Sequence, residues 1–247
     1  MPTWGTYWRT WNGMAVELGE AMDARAVFSG IRGVLFDFDG PICRLFPDGS
    51  SLPVADELRE LVARAGIKGL LTDQERLDKD PHLVLRAVHR ARPAHQGLAD
   101  ALEQRVSKRE LDAARTALPT PGAAELIRRL SDRGFLLGVV TNNSARAASH
   151  YLESQGLRAC FDVVHGRTRE VDLMKPHPDV VLRALRSLGL RHEDAVMIGD
   201  SPADVDAASS AGIRFVGFGR NHRKETKLRG AGAKVVLSSY ALLLDEG

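Results

Sequence analysis

Five short, nearly continuous apolar runs, at about 33–38, 135–141, 161–165, 194–199 and 213–218, constrain this chain more than any other feature. Such runs are what strands buried on both faces of a parallel sheet look like. A last short run at 234–237 adds a candidate edge strand. Between the runs lie stretches with helical spacing. Residues 123–133 place Leu126, Ile127 and Leu130 on one face and stop at Gly134, and the stretches 145–155 and 179–188 repeat the plan, each followed by glycine. The alternation predicts an α/β fold, a doubly wound, Rossmann-like parallel sheet with ligands at the carboxyl ends of its strands.

The plan breaks between the first run and residue 120. Residues 53–65, 81–92 and 95–117 read as helices, with starts marked by Pro53, Asp80-Pro81 and Pro93, and no strand is expected among them. The chain therefore divides into an N-terminal extension at 1–28, an α/β core built from 29–42 and 119–247, and a helical insertion at 43–118. A length of 247 residues is enough for such a core and a small second domain. The extension holds all three tryptophans, Trp4, Trp8 and Trp11. Its plainer reading is a loosely docked tail, or residues upstream of a start at Met14 or Met22; the sharper one is an aromatic anchor for a partner or a dimer.

Composition narrows the class of function. Hydrophobic residues make up 44% and charged residues 27%, an ordinary globular balance. A net charge of +2, with basic residues scattered among acids, does not suit a nucleic-acid surface. No apolar stretch reaches the roughly 18 to 20 residues of a membrane span, and no signal-peptide pattern opens the chain. Cys43 and Cys160 show neither metal-ligand nor disulfide-scaffold spacing. The expected setting is the cytoplasm, for a monomer or homodimer acting on a small molecule.

The ends of the predicted strands carry the chemistry. In Val34-Leu35-Phe36-Asp37-Phe38-Asp39-Gly40, two carboxylates leave an apolar run two residues apart, on one face and about 6.6 Å apart along a strand, with Phe36 and Phe38 opposite and Gly40 free to turn. A second run ends in Thr141-Asn142-Asn143-Ser144, where Asn143 or Ser144 can cap the next helix. Lys175 stands in the proline-punctuated loop Met174-Lys175-Pro176-His177-Pro178-Asp179. Ile198-Gly199-Asp200-Ser201-Pro202-Ala203-Asp204 brings two more carboxylates, with Ser201 at a helix N-cap and Pro202 at its first turn. His165 and His177 lack helical ligand spacing and read as structural or exposed.

In this order, Asp-x-Asp, Thr/Asn, Lys and Gly-Asp-x-x-x-Asp, the chain resembles the haloacid dehalogenase superfamily over residues 33–240, in the phosphoglycolate phosphatase-like subgroup with a helical cap. The resemblance implies a Mg²⁺-dependent phosphohydrolase acting on a small phosphorylated metabolite. Asp37 would be the nucleophile and Asp39 the general acid and base. Thr141, Asn142 and Lys175 would bind the phosphoryl group. Asp37, Asp200 and the main-chain carbonyl of Asp39 would hold the ion, and Asp204 would orient a metal-bound water. The insertion would lie over the catalytic edge and choose the substrate, with Arg86, Arg90, Arg105 and Arg109 as candidate contacts or as a solvated face.

A phosphomutase of the same superfamily is the main alternative, and a non-catalytic binding module is another. Asp39 argues against a dehalogenase, which has no alkoxide to protonate. A phosphonate hydrolase would need a cap lysine, for which Lys68 and Lys79 are available. Pro41 departs from the superfamily pattern, which has threonine there, so a hydroxyl and a backbone donor are missing.

Overall fold

The computed structural model describes residues 26–47 and 51–244. Trp4, Trp8, Trp11, Met14 and Met22 lie outside them. The main sheet has six parallel strands. At its centre is β1 (Gly33–Phe36), paired on one side with β4 (Leu136–Val140) and on the other with β6 (Ala195–Gly199). Beyond β4 lies β5 (Val163–His165), and beyond β6 lie β7 (Arg214–Phe218) and β8 (Val235–Leu237), giving the order β5-β4-β1-β6-β7-β8.

Strand periodicity explains why both faces are apolar. Val34, Phe36, Leu137, Val139, Val196 and Ile198 point to one side, where Ile127 of α5 (Ala123–Asp132), Tyr151 of α6 (Ala145–Ser154) and Phe161 meet them. Leu35, Val140 and Met197 point to the other, against Val181 and Ala184 of α7 (Asp179–Leu188) and Ala207 of α8 (Pro202–Ser210). Phe36 meets Phe161 edge-on at 6.0 Å, and Phe38 meets Tyr151 at 5.6 Å. The two phenylalanines thus pack into one layer, as their spacing predicts. After β1 the chain builds outward through β4 and β5, then returns to build outward through β6, β7 and β8. The direction of winding reverses beside β1, the place where open α/β sheets leave a crevice.

Two very short strands close the insertion, β2 (Cys43–Arg44) and β3 (Leu118–Pro119), which pair antiparallel with Cys43 opposite Pro119. The sequence reading expected no strand at 43–118, and two residues are too few to show an alternation. Between them run α1 (Leu52–Arg64), α2 (Asp73–Leu77), α3 (Pro81–Arg90) and α4 (Arg92–Ala114), and α1, α3 and α4 share a cluster containing Leu58, Val84, Val88, Leu102 and Val106. The short α2 was not anticipated, although Thr72-Asp73-Gln74-Glu75 is a capping box: Thr72 Oγ1 accepts from Glu75 N at 3.3 Å and Glu75 Oε2 accepts from Thr72 N at 2.9 Å. Helices expected at 81–92 and 95–117 change over earlier, at Ala91, and a non-helical His95 (φ −138°, ψ 38°) kinks the start of α4.

Beyond α9 (His222–Gly230) and β8, α10 (Ala241–Leu244) begins just after Tyr240, a buried ring stacked on Phe218 at 4.6 Å. Among the described residues no helix is long and apolar enough to cross a membrane.

Burial sets a stability contrast. Leu35 is 0% exposed at the centre of the sheet and Leu77 is 83% exposed at the end of α2. Leu35→Ala should destabilise by about 2–5 kcal/mol through lost transfer and a cavity, and Leu77→Ala by less than about 0.5 kcal/mol. Urea unfolding of the two variants would contradict this packing if the losses were alike.

Candidate active site

Each chemical residue follows a strand whose pairing carries it to one edge. Asp37 N donates to Ile198 O at 2.9 Å, so β1 stays in register with β6 up to the first carboxylate. The chain then turns sharply. Gly40 has φ +117°, and a Cβ there would overlap the Asp200 carboxylate, so both backbone freedom and lack of side chain are required. The turn is pinned from outside: Thr120 Oγ1 donates to Gly40 O at 2.6 Å, and Tyr240 Oη donates to Pro41 O at 2.9 Å. Proline at 41 therefore costs no hydrogen bond that this turn uses on its carbonyl side.

A cleft of about 400 Å³ opens at this edge. Asp37, Asp39, Thr141, Asn142, Lys175 and Asp200 all line it, so the side chains singled out from sequence converge. Asp204 lies behind, fully buried. Its Oδ2 accepts from Asp200 N at 3.1 Å, Ser201 N at 3.0 Å and Ser201 Oγ at 2.7 Å, which ties the start of α8 to the site.

Lys175 joins the carboxylates. Its Nζ lies 2.8 Å from Asp37 Oδ1 and 2.6 Å from Asp204 Oδ1, and it donates to Val140 O at 3.0 Å. The approach to Asp204 Oδ1 falls outside hydrogen-bond geometry and is a charge contact rather than a directed bond. Burial alone would lower the Lys175 pKa, but Asp204 and Asp37 outweigh it and hold the value above the usual lysine range. Asp37 is pushed up to about 6, first by burial and then by Asp204, against the pull of Lys175. Burial also raises Asp39, opposed by Leu45 N, which donates to its Oδ1 at 2.9 Å, and by Lys224.

The carboxylates of Asp37, Asp200 and Asp204 offer oxygen atoms within 4.8 Å of one another. Hard oxygen donors grouped this way suit Mg²⁺. The sequence reading put Asp204 outside this group and Asp39 inside it through its main chain; by side chains, the structure groups Asp204 with Asp37 and Asp200, while the Asp39 carboxylate is turned to Leu45.

The segment after β4 is more constrained than its sequence suggested. Thr141 Oγ1 donates to Asn143 Oδ1 and accepts from Asn143 N, both at 3.1 Å. Asn142 clamps the lysine loop, accepting from Lys175 N at 2.8 Å and donating to Lys175 O at 3.0 Å. Ser144 holds the N-cap position of α6 without a side-chain cap bond. Its backbone N instead donates at 2.8 Å to Glu110 Oε2, a buried carboxylate on α4.

Among the arginines of the insertion, none of the four candidates lines the cleft. Arg105 and Arg109 pair with Glu57, Arg90 pairs with Glu75 at 2.6 Å, and Arg86 donates to Lys175 O at 2.7 Å. Ion pairing inside the insertion has claimed three of them, and the fourth braces the Lys175 loop. Arg44, Lys79, His82, Arg220 and Lys224 line the cleft instead. Lys224 Nζ contacts Asp200 Oδ2, and burial lowers its pKa. Lys79 and Arg220 sit in loops, Arg44 ends the two-residue β2, and His82 and Lys224 stand near the starts of α3 and α9, where no periodicity marks them; Lys68, the other candidate lysine, is not among the lining residues. His165 bonds Ser187 Oγ at 3.0 Å and His177 Nδ1 accepts from Asp179 N at 3.2 Å, which are structural roles.

Residues 31–212 match the family described as haloacid dehalogenase-like hydrolase. The chain belongs to that family. This hydrolase is 30% identical over 219 residues to a phosphoglycolate phosphatase of Rhodospirillum rubrum, covering 87% of this chain and 90% of that one. It is 32% identical to the pyrophosphatase PpaX of Halalkalibacterium halodurans over 127 residues, covering 51% and 59% of the two chains. The solved structure of CbbY from Rhodobacter sphaeroides in complex with phosphate matches with a TM-score of 0.62 at 26% identity, covering 85% of this chain and 95% of that one.

The Glu110 site yields a pH-dependent stability. Burial would raise Glu110, but Arg167 and His82 outweigh it and bring the carboxyl from 4.5 to about 2. Since the folded value is the lower one, this stabilisation is fully present above about pH 4.5 and is lost as pH falls towards about 2. Glu110→Gln should lower stability by about 3–5 kcal/mol at neutral pH, because it leaves Arg167 without its buried partner. In urea titrations the gap between wild type and variant should be largest at pH 7 and smaller at pH 3; an equal gap at both would remove the pair from that role.

Proposed function

We propose that this hydrolase cleaves the phosphate monoester of a small metabolite through an aspartyl-phosphate on Asp37, with Mg²⁺ as cofactor. The observation that carries the reading is the meeting of Asp37, Lys175, Asp200 and Asp204 at the sheet's winding reversal, with Asp39 in the same cleft. The similarity to a phosphatase along nearly its whole length supports it. In this reading the protein works in the cytoplasm, as a monomer or homodimer, and the helices between β2 and β3 act as a cap over the cleft.

A phosphate ester repels nucleophiles through its own negative charge, so catalysis is mainly positioning and charge neutralisation. Asp37 Oδ1 is fixed by Phe38 N at 2.7 Å and by Lys175, which leaves its other oxygen to attack phosphorus. Lys175 offsets the crowded charge of carboxylates and phosphate. Asp39, whose pKa is raised by burial, is suited to hold a proton for the departing alkoxide and to take one back from the water that hydrolyses the aspartyl-phosphate. Thr141 and Asn142, which line the same cleft, would hold the phosphoryl group. Asp37 and Asp200 would hold Mg²⁺, with Asp204 fixing the strand end behind them, and the ion would supply positive charge to phosphate oxygens.

Phosphate release from small esters should require Mg²⁺ and vanish in Asp37→Asn, whose amide is nearly isosteric but a poor nucleophile. Near-wild-type turnover in that variant would take Asp37 out of the role. Asp39→Asn should depress alkyl ester turnover by about 10²- to 10⁴-fold, yet spare the first step with nitrophenyl phosphate, since nitrophenolate leaves without a proton. Rapid mixing should then show a nitrophenol burst; equal losses in the phosphorylation step for both esters would remove Asp39 as the acid.

A further inference from the structure

We infer that Glu110 and Arg167 are positioning residues for the segment Thr141–Ser144, so that the inserted helices complete the phosphate-binding side of the cleft as well as cover it. Both side chains are 0% exposed, and neither touches the cleft directly. Glu110 comes from α4 of the insertion, and Arg167 from the loop after β5. Arg167 Nη1 donates to Glu110 Oε1 at 2.9 Å and Nη2 to Oε2 at 3.2 Å, a two-pronged pair. Glu103, also on α4, accepts from Arg167 Nε and Nη2, both at 2.9 Å.

What separates this pair from an ordinary structural ion pair is where its remaining capacity goes. Glu110 accepts from Asn143 Nδ2 at 3.0 Å and from Ser144 N at 2.8 Å, while Arg167 donates to Asn142 O at 2.6 Å. Three consecutive residues after β4 are therefore held by side chains from two other parts of the chain. Ser144 stands at the N-cap of α6 with its own hydroxyl uninvolved, so the Glu110 carboxylate supplies the acceptor and the negative charge that this helix end lacks. Asn143 in turn holds the Thr141 hydroxyl, and Asn142 holds the Lys175 main chain. The cleft-lining His82 bonds Glu110 Oε1 at 3.1 Å, which ties the start of α3 to the same carboxylate. If the insertion moved away, Asn143 and Ser144 would lose their partner and Thr141 its fixed orientation.

The link to catalysis rests on the proposal that Thr141, Asn142 and Lys175 bind phosphate, so the test needs one readout that does not depend on it. The discriminating variant is Glu110→Met with Arg167→Met, which replaces a buried ion pair by apolar side chains and so can keep the fold while removing every side-chain bond that the pair makes to residues 142–144; the main-chain bond from Arg167 N to Asn143 O, at 3.0 Å, remains. Thermal unfolding close to wild type, backbone hydrogen exchange at 142–145 at least about tenfold faster, and kcat/KM on 4-nitrophenyl phosphate with Mg²⁺ lower by about 10- to 100-fold are expected. Wild-type exchange at 142–145 in a folded double variant would overturn the inference, as would full recovery of kcat/KM. Faster exchange beside a wild type that releases no phosphate from any ester would uphold the positioning role and overturn the phosphatase proposal instead. Should the double variant not fold, Glu110→Gln, which keeps the shape and one acceptor oxygen, should show the same changes at smaller size; unaltered exchange there would overturn the inference equally.

Discussion

A lysine ammonium buried among carboxylates is the interaction on which the rest of this site depends. Lys175 is 3% exposed, and no such charge is tolerated in a protein interior without compensation. Asp37 and Asp204 provide it, and Val140 O accepts a hydrogen bond from the ammonium. The dependence runs both ways, because Asp204 is itself fully buried and two carboxylates so close could not both stay charged without a cation. Strand ends of β1, β4 and β6 must therefore be level for the lysine to bridge them, and the paired register of the central three strands makes them so.

Around that centre, a second layer of contacts holds loops rather than substrate. Asn142 grips both ends of the Lys175 peptide, Arg86 braces the same carbonyl from α3, and Glu110 with Arg167 anchors the three residues beyond Thr141. Fixed loops on a rigid sheet keep reacting groups from reorganising during a reaction, which is where electrostatic catalysis gains most. The inserted helices contribute to this layer from outside the core, through Arg86 and Glu110. Lys79, His82 and Arg220 line the cleft beyond this layer.

Much of this was legible from the chain alone. The apolar runs indicated strands because a doubly covered strand has no polar face, and Asp37, Thr141 and Asp200 stood out because each ends such a run. Lys175 stood out through its place in the motif order. The pairing of Phe36 and Phe38 in one layer followed from period two. Less legible were β2 and β3, too short to show a pattern, and α2, whose capping box was present but unread. The arginines misled as candidate contacts: helical spacing shows which residues share a face, not whether acids on a neighbouring helix will neutralise them, as Glu57 does for Arg105 and Arg109.

The sequence by itself determined the fold class, the order of the polar motifs and which strand ends carry them to the cleft, since all three follow from local periodicity and strand polarity. Only the tertiary structure decided which charges meet. Glu110 and Arg167 are 57 residues apart along the chain, and nothing local to either predicts the other. Their pairing is a consequence of α4 packing beside α6 and the loop after β5, where burial makes an unpartnered charge too costly to keep. The grouping of Asp204 with Asp37 and Asp200 has the same origin: a helix start and a strand end, adjacent only once the sheet is wound, bring the three acids together, two of them against Lys175.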